Sequence, residues 1–111
     1  MNISFFEVMP GEQESLMTQL PAGHIVSYFS EKLTPETLDK AMGAEIVSVF
    51  VNSEIRAPLI DRLPDLKLIA TRSMGFDHID VEHARSKGIH VVNVTTYAAH
   101  PVAEFTFALL L

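Results

Sequence analysis

Cysteine is missing from the chain altogether. That excludes disulfides and thiolate metal sites, and it suits a reducing compartment, so a cytoplasmic setting is expected. Basic residues are few: eight Lys and Arg stand against fourteen Asp and Glu, for a net charge of −6. No basic face is left to neutralise phosphates, so no nucleic-acid partner is expected. Apolar runs fall short of the roughly 18 residues that a membrane span needs, and no membrane partner is expected. Glu7 and Pro10 interrupt the first apolar stretch, which argues against a secretion signal. Glycine is scarce, at five in all.

What remains is globular in character. Hydrophobic residues make up 48% of 111 positions, enough for one domain with a core of its own. Ile3 to Val8 reads as a first strand, Pro10-Gly11 as a turn, and Glu12 to Leu20 as a helix with Leu16, Met17 and Leu20 inward. Pro21 to Gly23 ends it, and His24 to Phe29 is a second strand. Thr34 as cap, Pro35 in the first turn and Glu36 after it predict a second helix. Leu38, Ala41 and Met42 form its inner face, and Gly43 ends it. Glu45 to Val51 is a third strand, rich in β-branched residues. A short helix around Leu59 to Leu63 follows. The fourth strand opens at Leu66, the fifth spans Ile89 to Val94, and Pro101 opens a last helix to Leu111. This repeated β-α pattern predicts an α/β fold: a doubly wound, parallel, five-stranded sheet of flavodoxin type, ordered 2-1-3-4-5.

Chemistry concentrates between Leu66 and Asp80. Leu66, Leu68, Ile69 and Ala70 suit a strand covered on both faces, and polarity changes abruptly at Arg72-Ser73. Gly75 is expected to take backbone angles that its neighbours resist. Asp80 is the N-cap of a helix over Val81 to Lys87, with Gly88 as its stop. A strand followed by a turn of free N–H groups is a common way to hold a small anion. In a doubly wound sheet, ligands gather at the carboxyl ends of the strands, where Ser73-Met74-Gly75 and Thr95-Thr96-Tyr97 would face each other.

The stretch from Leu66 to Leu111 resembles the NAD-dependent D-2-hydroxyacid dehydrogenases. Arg72-Ser73-Met74-Gly75-Phe76-Asp77-His78-Ile79-Asp80 follows that family's pattern position by position. Gly88-Ile89, Asn93 and Val102-Ala103-Glu104 fall in the same order, and Tyr97 is similar to the D-lactate dehydrogenase branch. The resemblance implies hydride transfer between NAD and a small 2-hydroxy or 2-keto acid, in a homo-oligomer. It implies a substrate domain over residues 1–100, with 101–111 beginning the helix that leads to an NAD-binding Rossmann domain beyond this sequence. Met74 and Gly75 would hold the substrate carboxylate through backbone N–H groups. Tyr97 would line the same pocket, and Val102 would pack near the nicotinamide. No catalytic residue is expected here, since the family's arginine, glutamate and histidine lie downstream. The glycine-rich G-x-G-x-x-G turn is also absent, and Thr95 stands where relatives usually carry proline.

Several residues read two ways. Arg72 either counters an anion's charge, as a substrate-binding residue, or is ion-paired at a strand end. Tyr97 either donates its hydroxyl to a ligand or rests its ring on the core. Asp77, His78, Asp80, Glu82 and His83 suggest a metal, but the histidines are five apart and Asp80 is a cap, so no metal site is expected. The last helix is apolar nearly all round and is expected to drive self-association. Two other classes compete with the enzyme: a flavodoxin-like binding or regulatory module, and a corepressor-type protein on the same scaffold. A receiver module would want acidic residues where Val8-Met9 and Asn52-Ser53 stand.

Overall fold

A computed structural model describes residues 1–20 and 23–93. The elements run β1 (Asn2–Phe5), α1 (Glu12–Gln19), β2 (Ile25–Tyr28), a 3-10 helix (Leu38–Ala41), β3 (Ile46–Val49), α2 (Ala57–Ile60), β4 (Leu68–Thr71), α3 (Val81–Ser86) and β5 (His90–Val92). All neighbouring strands pair in parallel, in the order β2-β1-β3-β4-β5. The expected sheet order is the observed one. It follows from short crossovers and from the apolar content of β3, which is buried along its whole length.

The two faces of the sheet carry unequal cores. Val47, Val49 and Ile69 join Leu33, Leu38, Leu59, Ile60 and Ala84 on one side. Ile3, Phe5 and Ile46 meet Leu16 on the other, where α1 is the covering helix. Each fully buried Phe or Ile side chain contributes roughly 1.5–3 kcal/mol, so both layers matter to stability.

Some local readings need correction. Thr34 does not cap a helix: the segment closes as a turn, and only the four residues Leu38–Ala41 coil, as a 3-10 helix. The Thr37 hydroxyl donates to the Lys32 carbonyl at 2.9 Å and accepts from the Thr34 amide at 2.8 Å. Thr34 Oγ1 in turn accepts from the Thr37 amide at 3.3 Å, so the pair closes a turn in the manner of a capping box, but only a four-residue 3-10 helix follows. Met42 is exposed rather than inward, and so is Met17 on α1. Gly75 lies outside the left-handed region, unlike Gly11, Gly23, Gly43 and Gly88, so the turn does not require glycine for its backbone angles.

The C-terminal reading of the fourth βα unit holds. Asp80 Oδ1 accepts from the His83 amide at 3.0 Å, and Gly88, at φ 77°, follows the end of α3. Register then places the site. Phe5 pairs with Ser48 and Val49 with Thr71, so the chains leaving β1, β3 and β4 emerge side by side.

Candidate functional site

The loop from Arg72 to Ile79 leaves the carboxyl end of β4 and is tied at both ends. Its first amide donates to the Val49 carbonyl at 2.8 Å. At its far end Ile79 bridges Ile55: the Ile55 amide donates to the His78 carbonyl at 2.8 Å, and the Asp80 amide to the Ile55 carbonyl at 2.9 Å. Between these anchors Met74, Gly75 and Phe76 are exposed.

Side chains fix the two carbonyls at the crest. Asn93 Nδ2 donates to the Met74 carbonyl at 2.7 Å, and Ser73 Oγ donates to the Gly75 carbonyl at 2.8 Å. No peptide bond is cis. In a trans peptide the C=O and the following N–H point in opposite directions. Holding the carbonyls of 74 and 75 therefore turns the amides of Gly75 and Phe76 the other way. Among the described residues, the N–H groups of Met74, Gly75 and Phe76 meet no acceptor. Apart from Gly75 and its two chain neighbours, no described atom lies within 4 Å of where a Cβ on Gly75 would stand. The crest thus offers three amides without a described acceptor beside an uncrowded glycine, a source of free N–H groups such as anion-binding loops use. Beside it lies a shallow cleft of about 350 Å³ lined by Val51, Glu54, Arg56, Gly75, Asp77 and His78. A larger hollow of about 430 Å³, between Asn2, Glu45 and Lys67, sits at the amino ends of the strands, away from this loop.

Arg72 faces inward. Its side chain is only 2% exposed. Nη2 donates to the carbonyls of Phe6 at 2.6 Å and Glu7 at 3.1 Å, Nη1 donates to Ser48 Oγ at 2.9 Å, and Nε lies 3.3 Å from Glu12 Oε2. Burial lowers its pKa, and the carboxylates of Glu12 and Glu7 oppose that shift. Of its two readings, the ion-paired one describes this placement. The guanidinium is committed to the scaffold, and its reading as a substrate contact gains no support from it.

Glu7 has a structural role that its neighbours in the sequence do not announce. It is the one non-glycine residue with a left-handed backbone among the described residues, at φ 60°. Its buried carboxylate accepts from the Phe50 amide at 2.8 Å, the Asn52 amide at 3.1 Å and Ser53 Oγ at 2.7 Å. Strain at that position is offset by the three hydrogen bonds that its carboxylate accepts. The pattern offered no local signal, because these partners lie 43 to 46 residues away.

The remaining candidates sort quickly. His78 bonds to Thr71, whereas His83 Nε2 lies 2.7 Å from Asp61, so the two histidines serve different partners. Tyr97 and Val102, with the whole last helix, lie outside the described residues. No helix among the described residues is long and apolar enough to cross a membrane.

The fold has relatives among known proteins. The profile of the D-isomer specific 2-hydroxyacid dehydrogenase catalytic domain matches residues 3–108. The chain belongs to that family. A 2-hydroxyacid dehydrogenase homolog of Zymomonas mobilis is 40% identical over 91 residues, covering 80% of this chain and 28% of that protein. The solved D-lactate dehydrogenase of Salmonella superposes with a TM-score of 0.80 at 30% identity, covering 88% of this chain and 31% of that one. D-lactate dehydrogenase from Aquifex aeolicus, solved with NAD and lactic acid, gives a TM-score of 0.72 at 33% identity over 98% of this chain and 32% of that one. The family member described here thus spans about a third of the length of the relatives it matches.

Proposed function

We propose that this chain is the substrate-seating part of an NAD-dependent dehydrogenase that interconverts a small 2-keto acid and its D-2-hydroxy acid. The observation that carries the reading is the crest of β4's loop, where amides without acceptors stand above two immobilised carbonyls. A carboxylate placed there receives charge-assisted hydrogen bonds from Met74, Gly75 and Phe76. Fixing that end of the substrate sets the angle at which its carbonyl carbon meets a hydride, and orientation of this kind accounts for much of such catalysis. Tyr97 completes the pocket wall and Val102 adjoins the nicotinamide, as the family resemblance implies. Arg72 contributes from behind, by holding the root of the loop.

NAD, when bound, supplies or accepts the hydride. The residues described here do not make a dinucleotide site by themselves: the five glycines are scattered, and no glycine-rich turn exists to approach a pyrophosphate. Most of the cofactor site and the acid-base groups therefore belong to further sequence, as the family resemblance implies, in a cytoplasmic homo-oligomer. Two assays test the reading. The full-length protein oxidises NADH with pyruvate or a close homologue, and the 111-residue chain alone does not. Turnover by the isolated chain contradicts the division of labour, and inertness of the full-length protein toward every small 2-keto acid contradicts the activity.

A further inference from the structure

Three buried side chains beneath the crest form a chain whose direction follows from counting protons. Ser73 has one hydroxyl proton and gives it to the Gly75 carbonyl. Its 2.6 Å contact with Thr71 Oγ1 is therefore one in which Thr71 donates. Thr71, its own proton spent, accepts from His78 Nε2 at 2.9 Å, so that nitrogen carries the hydrogen. The order is His78 to Thr71 to Ser73 to the Gly75 carbonyl. Thr71 is fully buried, and Ser73 and His78 are 9% and 8% exposed. Burial lowers the His78 pKa, with Glu7 and Glu54 opposing, which favours the neutral ring. A neutral ring with its proton on Nε2 leaves Nδ1 bare.

An apolar trio would fill the same space without the cost of burying polar groups. This one ends on a loop carbonyl, and that carbonyl belongs to the peptide whose N–H is the Phe76 amide. We propose that His78 is a positioning residue which, through Thr71 and Ser73, aims the Phe76 amide at the substrate carboxylate. The proposal rests on the functional reading above and deepens it. His78 touches no substrate; it sets the angle of a donor that does.

The test uses the full-length enzyme. Ser73→Ala, Thr71→Val and His78→Leu each cut the relay, whereas Thr71→Ser and His78→Gln keep its donors. Cutting it raises KM for the 2-keto acid by roughly tenfold while kcat and the KM for NADH change less than about twofold, the pattern for lost binding of one substrate. Thr71→Val combined with Ser73→Ala is no worse than the poorer single variant, because one chain is broken only once. The donor-keeping variants stay near wild type. Nitrogen-15 spectra of the wild-type imidazoles show His78 protonated at Nε2 and bare at Nδ1. Lower melting temperatures with unchanged KM overturn the proposal, as does the opposite tautomer or a His78→Gln enzyme as poor as His78→Leu. Failure of the wild type to reduce 2-keto acids is a different result, one that removes the functional reading itself.

Discussion

The chain leaves β1 and β4 at the same end of one sheet, yet it treats its polar groups there in opposite ways. After β1, Glu7 turns into a left-handed conformation and its carboxylate takes two amides and a hydroxyl from the loop after β3. Its carbonyl, with that of Phe6, receives the Arg72 guanidinium. Among the described residues, no buried side-chain nitrogen or oxygen lacks a partner. After β4, among the described residues, the carbonyls of Met74 and Gly75 are held and the amides of Met74, Gly75 and Phe76 meet no acceptor. The first region spends its hydrogen-bonding capacity on stability. In the proposed reading the second keeps capacity for a ligand, and the satisfied region supports the loop that offers it.

The two regions should therefore respond differently to substitution. Arg72→Met is expected to cost the most, about 3–5 kcal/mol, because it strips a buried charge from two carbonyls, a serine and a carboxylate. Urea unfolding measures it, and a loss under 1 kcal/mol would mean that the node is not structural. Gly75→Ala should do the reverse. Its φ is not left-handed and its surroundings are open, so stability should hold within about 0.5 kcal/mol. Affinity for a 2-keto acid should fall by roughly tenfold or more as the methyl crowds the carboxylate, read in the full-length enzyme as KM or an inhibitor constant. Asp80→Ala, which uncaps α3 on the far side of the loop, should cost about 1 kcal/mol in the same unfolding assay.

The smallest effect expected is one of pH. His78 titrates below its ordinary value of 6.5 in the folded chain, chiefly because burial disfavours the cation. Between the folded and unfolded values the unfolded chain binds the extra proton, so stability is complete above about 6.5 and declines as pH falls below it. His78→Gln should flatten that decline. An unchanged pH slope in the variant would assign the effect elsewhere.

How much of this could be read beforehand depended on distance along the chain. The cap at Asp80, the stop at Gly88 and the sheet order rest on neighbours or on repeated pattern, and those readings match the structure. Thr34 misled because its hydroxyl does bond to the Thr37 amide, yet the turn it closes runs on only as a short 3-10 helix. Met17 and Met42 misled because apolar spacing alone does not say which face a thin layer leaves in water. Arg72 could not be assigned at all, since its carbonyl partners are 65 and 66 residues away. Gly75 does not need the backbone freedom that glycine alone has. The loop has room for a side chain, and in the proposed reading the glycine serves what approaches from outside.

The most direct measurement is an amide titration of the nitrogen-15-labelled full-length enzyme with oxamate, an unreactive isostere of pyruvate. The Met74, Gly75 and Phe76 amides should shift and saturate together, while those of Phe50 and Asn52, already held by Glu7, stay in place. Bound oxamate that leaves the three crest amides unmoved would contradict the account.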